Sequence, residues 1–274
     1  VGGGFKPVSV SGATQALNVG SYNFFDGGDL TVDTTLSFTS VPTDALWTYT
    51  GKAGLGEGYT LAYKPVYADL SVNVYAQDAD PYGVAFSSDG TKMYVCGTNN
   101  KIIYQYTLSI AWNVGTATYD SVSFSVGAQE TFPSDLTFST DGTKMYIVGE
   151  INDTVYQYTL STEWDLSTAS YASLSKSVSA QDTAPTAIVF SPDGTKMYML
   201  GNTTNSVFQY TLGTAWNVST ATYASLSKNA GNEMATPTGM AFSPDGTILY
   251  VIGRTPEGVF QYKNVSKPKT ITVP

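Results

Sequence analysis

The residues best suited to chemistry recur along the chain. Gln77-Asp78, Gln129-Glu130, Gln181-Asp182 and Glu233-Met234 stand 52 residues apart, and Asn99-Asn100, Asn152-Asp153 and Asn205 fall in equivalent stretches of three successive repeats. Amide and carboxylate oxygens brought to one face of a repetitive fold would suit a ligand or partner, or a hard cation such as Ca²⁺. The same groups serve equally well as caps for loop backbones. Both readings stand at this point, these residues are the binding candidates, and no metal site is assigned. Trp112, Trp164 and Trp216 each open a W-[ND]-[VL]-x-T-A-[TS]-Y segment. An exposed indole stacks on a sugar ring, whereas a packed one anchors a long connection. Asp89, Asp141, Asp193 and Asp245 also repeat, each followed by Gly, and turn chemistry accounts for them better than a ring of carboxylates does.

Other residue types exclude whole classes of mechanism. The 274-residue chain has no His, one Cys (Cys96) and one Arg (Arg254). Ser-His, Cys-His and His-metal catalysis are therefore absent, and no intrachain disulfide can form. A net charge of −9 with 13 Lys and Arg argues against nucleic-acid binding. No apolar run is long enough to span a bilayer as a helix. Glycosidases need two carboxylates facing each other across a cleft, and no local pattern proposes such a pair. Cys96 takes the place of Val148, Leu200 and Ile252 in its repeat and reads as a small buried hydrophobe. No catalytic residue and no cofactor is assigned, and the expectation is that the chain is not an enzyme.

The elements that must position these residues follow from the repeat. FSSDGTKMYVCG, FSTDGTKMYIVG, FSPDGTKMYMLG and FSPDGTILYVIG begin at Phe86, Phe138, Phe190 and Phe242, and the register extends from Tyr67 to Tyr262 without a gap. Each period reads as four strands. A short apolar strand (GVAF) precedes an Asp-Gly hairpin, expected as type I′. Two further strands (TKMYVCG and IIYQYTL) are joined by an Asn-rich turn, and a longer connection leads to a fourth. Gly97, Gly149, Gly201 and Gly253 end the second strand as a turn would require. Four antiparallel strands at this period indicate an all-β, four-bladed β-propeller over residues 65–264. The block opens on a fourth-strand segment, Tyr67–Val74, and closes after a third strand. Pairing the two would shut the ring by strand exchange and remove two open edges. The alternative is a five-bladed ring with residues 31–74 as a degenerate blade. Residues 1–64 and 265–274 alternate in the manner of antiparallel β-structure and are expected to form one small β-sandwich, split by the inserted propeller. The start at Val1 also fits a processed product or part of a longer one.

FSPDGTKMYV resembles the blades of YVTN-type and WD40-type propellers. LTVDTTLSFTSVPTDALWTY, with the tail KTITVP, resembles a β-sandwich module of bacteriophage tail fibres, and the repeat as a whole is similar to structural proteins of marine phages. These resemblances imply a non-enzymatic virion protein: a tail-fibre, tail-tip or head-decorating component serving host attachment. Its expected partners are other virion proteins and a host glycan or receptor, in a homo-oligomer, in the virion or outside the cell. The alternatives are a carbohydrate-binding adhesin or lectin on a bacterial surface and, third, a polysaccharide-degrading enzyme.

Overall fold

The computed structural model describes residues 70–263. The strands are β1 (Pro81–Phe86), β2 (Lys92–Gly97), β3 (Ile102–Leu108) and β4 (Ala117–Ser125) in blade I, and β5 (Pro133–Phe138), β6 (Lys144–Gly149), β7 (Thr154–Leu160) and β8 (Ala169–Ser177) in blade II. Blade III holds β9 (Pro185–Phe190), β10 (Lys196–Gly201), β11 (Ser206–Leu212) and β12 (Ala221–Asn229), and blade IV holds β13 (Pro237–Phe242), β14 (Ile248–Arg254) and β15 (Glu257–Lys263). Each blade is an antiparallel meander in chain order, four-stranded in the first three and three-stranded in the last. The chain is all-β in this region, and its four sheets form four blades of a propeller.

The Asp-Gly hairpins form with a different turn from the one expected. Only the glycine of each pair has positive φ, as at Gly90 (72°) and Gly142 (70°). The Gly90 N–H donates to the Ser87 carbonyl at 2.9 Å, so the turn is of type I with glycine at its last position. The Asp89 carboxylate accepts from Ser87 Oγ at 2.6 Å and from the Thr91 N–H at 3.0 Å, an arrangement repeated at Asp141, Asp193 and Asp245. These hydrogen bonds hold Asp89 and Asp193 down at about 2. In the long connection Asn113, Asp165 and Asn217 cap a single 3-10 turn by accepting from the N–H two residues on, which explains the [ND] after each Trp.

The core lies between blades rather than within them. Tyr94, Cys96, Ile103 and Val126 of the first repeat pack with Leu136, Phe138, Met145 and Ile147 of the second, and Tyr146, Val148, Val155 and Val178 pack in the same way with Ile188, Met197 and Met199 of the third. The inner strands follow one another, β1 on β5, β5 on β9 and β9 on β13.

Among the described residues the expected strand exchange is not seen. Of Tyr67–Val74, only Leu70–Val74 lie among the described residues; they form no strand, and β15 has no fourth partner there. Instead Val72 and Val74 seat on the core of blade I, against the cluster of Met93, Val95 and Tyr104. Blades I and IV form no junction like the three between successive blades, so the described blades make an open series. The sandwich assigned to residues 1–64 and 265–274, and most of the degenerate blade assigned to residues 31–74, lie outside the described residues.

Candidate functional site

The loops entering each blade gather the candidate oxygens, and the structure spends them on the blade itself. Asp78 is buried: its Oδ1 accepts from the Asp80 N–H and its Oδ2 from the Asn100 N–H, both at 2.9 Å. Glu130 does the same for Phe132 and Asn152, at 2.8 and 3.2 Å. Asp182 accepts from Ala184 at 2.8 Å, Thr203 at 3.2 Å and Thr204 at 2.7 Å. Each carboxylate thus staples the loop before the first strand to the turn between the second and third strands of its own blade. The neighbouring amides complete the latch. The hydroxyls of Tyr106, Tyr158 and Tyr210 donate to Gln77, Gln129 and Gln181, and Tyr262 contacts Glu233 in the same way. Asn100 and Asn152 reach back with their side-chain N–H groups to the carbonyls of Gln77 and Gln129. Asn205, with its amide oriented to bond, donates to Ala235 and Asn202 carbonyls, while Asn99 is exposed. Apart from Asn205, which reaches the loop entering the next blade, and Asp153, whose Oδ1 is buried without a hydrogen-bond partner, the bonded candidates meet as pairs within blades, and no group of three or more His, Cys, Asp or Glu suited to a metal occurs among the described residues.

The strand-ending glycines have a different cause from the turn proposed for them. A Cβ on Gly97 would lie 2.1 Å from Asp78 Cγ, and on Gly201 2.1 Å from Asp182 Cγ. Glycine is required because the stapling carboxylate lies on the strand. In blade IV, Met234 fills that space, with its sulfur 2.6 Å from the Cβ position of Gly253. The substitution matches its surroundings: Pro256 stands where Asn100, Asn152 and Thr204 offer their N–H, and proline has none.

The three tryptophans are packing anchors. Each ring lies on the glycine of the Asp-Gly turn, within 2.4 Å of where a Cβ would be on Gly90, Gly142 or Gly194. Each has positive φ, with its N–H bonded to that glycine's carbonyl. Phe86, Phe138 and Phe190 contact the rings at 5.3 to 5.6 Å between centroids.

Three polar features escaped the sequence reading. Gln105 and Gln157 are buried and accept from the N–H groups of Leu166 and Val218 in the next blade, at 2.8 and 3.1 Å. Their signal was available: a glutamine recurs at this place in every third strand. Asp120 faces a groove of about 630 Å³ lined by Lys92, Gln105, Trp164 and Asp165. Burial raises its carboxyl, but hydrogen bonds from Thr107, Gln105 and Lys92, with the Lys92 charge at 3.0 Å, outweigh that and hold it below the usual range. Asp135 sits within the blade I–II–III packing and accepts from Ile188 and Leu136 N–H groups, both at 2.9 Å. Burial pushes its carboxyl up to about 7 against those two bonds. It stands where the other repeats have Gly83, Ala187 and Gly239, and no periodic signal marks it.

A family model for lactonases, described as seven-bladed β-propellers, matches residues 75–267. The chain belongs to this lactonase family. Among solved structures, a 6-phosphogluconolactonase candidate from Bacteroides uniformis superposes with a TM-score of 0.50 at 17% identity, over 67% of this chain and 50% of that one. A Lactobacillus plantarum protein (TM-score 0.49, 18% identity, 67% and 51% covered) and the periplasmic gluconolactonase of Pseudomonas aeruginosa (0.46, 16%, 69% and 50%) are also similar. At these identities the likeness extends to fold alone. This lactonase-family chain spans about half the length of the structures it matches, and its described residues form four blades where the family description has seven. No curated protein matches the chain.

Proposed function

We propose that the chain is a non-enzymatic structural component serving attachment on the outside of a virion or cell, in which the blades supply shape rather than a reaction centre. One observation carries this reading. Most of the polar side chains that recur among the described repeats, the Asp-Gly aspartates, the stapling carboxylates with their neighbouring glutamines, and Gln105 and Gln157, are bonded within their own blade or to the next one, so recurrence reflects construction. The fibre-like segment LTVDTTLSFTSVPTDALWTY and the absence of His from the whole chain agree with it. The test has two arms. Mass spectrometry of purified particles carrying the protein is expected to find it in stoichiometric amount. The purified protein is expected to leave the spontaneous opening of gluconolactone and its 6-phosphate unaccelerated. Absence from particles, or a rate proportional to protein concentration, defeats the reading.

A second reading, favoured by the lactonase-family match, is hydrolysis of a sugar lactone. General-base attack by water would fall to a carboxylate in a chain without His, and Asp135, held near neutrality, has a suitable proton affinity. Its two oxygens are, however, already taken up by backbone N–H groups. Loss of any measured lactonase activity in Asp135→Asn would favour this alternative.

A further inference from the structure

We propose that the two ends of the blade series form one self-complementary interface, and that a second copy of this chain occupies it. Blade IV of each copy packs on blade I of the other, giving a two-chain ring.

The internal junctions show what such a contact contains. The outgoing faces of blades I and II each donate a tyrosine hydroxyl to the tryptophan carbonyl of the next blade: Tyr94 to Trp164, and Tyr146 to Trp216 at 2.8 Å. They offer a glutamine oxygen to a backbone N–H beside that tryptophan, as Gln105 does to Leu166 and Gln157 to Val218. Blades II and III send a hydroxyl to the next inner strand, with Ser134 donating to the Pro185 carbonyl at 2.9 Å and Thr186 to Pro237 at 3.3 Å. Blade IV carries all three outgoing groups at the corresponding positions: Tyr250, Gln261 and Thr238. Blade I carries all three receiving groups: the Trp112 carbonyl, the Val114 N–H and the Pro81 carbonyl.

The apolar surface repeats the pattern. Cys96, Val148 and Leu200 are fully buried against the following blade, but their counterpart Ile252 is 48% exposed. Ile103 and Val155 are fully buried, while Val259 is 66% exposed. On the receiving side Leu136 and Ile188 are buried, and Val84 is 56% exposed. Trp112 is 61% exposed, in contrast to the half-buried Trp164 and Trp216. On blade I the rest of the receiving face, Met93, Val95, Tyr106 and Leu108, is already buried under its own chain, Val72 and Val74 included, so Val84 and Trp112 are its uncovered part. On blade IV Ile252 and Val259 are cross-strand partners and form one exposed apolar patch of the kind that marks an interaction site.

The backbone supplies the missing strand. Val72 and Val74 seat on blade I as Phe124 and Val126 seat on blade II, and the turn that follows is the same, with the Gln77 and Asp78 N–H groups on the Val74 carbonyl as Gln129 and Glu130 are on Val126. Leu70–Val74 therefore lies where the outer strand of a preceding blade belongs, and β15 is the edge that lacks one. Since Phe124 pairs with Ile103, Val72 of one copy is placed opposite Val259 of the other. Head-to-tail contacts close into rings or run on as filaments. Propellers typically hold up to about eight blades, a number that two copies of four reach and three exceed.

The experiment uses the whole 274-residue chain. Light scattering coupled to gel filtration is expected to give a dimer that dissociates on dilution. Ile252→Lys with Val259→Lys, at positions exposed in the single chain, is expected to give a monomer with unchanged far-ultraviolet circular dichroism. Val72→Cys with Val259→Cys, in a Cys96→Val background, is expected to oxidise to a covalent dimer on a non-reducing gel. A wild-type monomer or filament overturns the proposal, as does a dimer indifferent to the lysines. An intrachain disulfide overturns it too, since the chain's own strand would then fill the edge.

Discussion

At the scale of single residues, the most informative site is the one where the repeat departs from itself. Met234 replaces a stapling carboxylate because Pro256 withholds the N–H that Asn100, Asn152 and Thr204 donate. Met234→Asp would bury a carboxylate with one partner missing. The expected cost is about 3 kcal/mol, read as a lowered denaturation midpoint. Pro256→Thr alone is expected to do little, and the double variant to recover most of the loss, which a double-mutant cycle measures. Asp135 gives a second residue-scale prediction. Its folded carboxyl titrates near 7, above the ordinary 3.8, so the folded state binds the extra proton between those values. Stability contributed by this group is therefore greatest at acid pH and falls as pH rises towards 7, levelling off above it. The turn aspartates act in the opposite sense and lower down. Asp141, where hydrogen bonds to Ser139 and Thr143 outweigh the burial that would raise it, is held near 2, so its contribution is present above about 3.8 and lost as pH falls through 2. Thermal melts from pH 3 to 9 are expected to rise, peak near pH 4 to 5 and then decline. In Asp135→Asn the decline should flatten; a wild-type curve that climbs steadily to pH 7 would contradict the assignment.

At the scale of the element, the blade is held by its corners. The ring of Trp164 covers Gly142, its carbonyl accepts from Tyr94 of the preceding blade, and its chain segment runs into the capped 3-10 turn that leads to β8. Trp164→Ala is expected to cost about 3–5 kcal/mol, the usual range for removing a large aromatic from packing. Tyr146→Phe, which removes one hydrogen bond to Trp216, should cost about 1 kcal/mol. Chemical denaturation reads both. Strand number, strand order and the Asp-Gly corners were legible in the repeat, because alternation and turn residues act locally. The turn type was not. Asp-Gly suits both type I′ and a type I turn ending in glycine, and the Ser two residues before Asp, whose hydroxyl donates to the carboxylate, favours the second. Nor was the reason for Gly97 and its counterparts legible. The Asp78 carboxylate that requires glycine there comes from 19 residues earlier and meets it only after folding.

At the scale of the whole array, register and curvature are separate properties. The 52-residue register identifies which strand should complete β15, but register alone does not say whose strand it is. Side chains such as Leu136, Ile188 and Met199 pack between neighbouring blades, and a one-dimensional period carries no measure of the curvature that results. Repeat arrays gain stability from each internal junction and lose it at their ends. Blades II and III have neighbours on both sides, and Met145, Tyr146, Ile147, Val148 and Met197 are fully buried there. Blade IV keeps Met240, Phe242, Phe260 and Tyr262 only partly covered. Amide hydrogen exchange is therefore expected to be slowest in β6, β7 and β10 and faster in β14 and β15. If the two ends pair between copies, raising the protein concentration should slow exchange in β1, β3, β14 and β15 while leaving β6 and β10 unchanged. The Ile252→Lys, Val259→Lys variant should show the same gradient at every concentration, because its terminal blades have lost the face that a second copy covers. Uniform protection across all four blades in a monomer would mean that the ends are already covered by the chain itself, and would remove the reason for a partner.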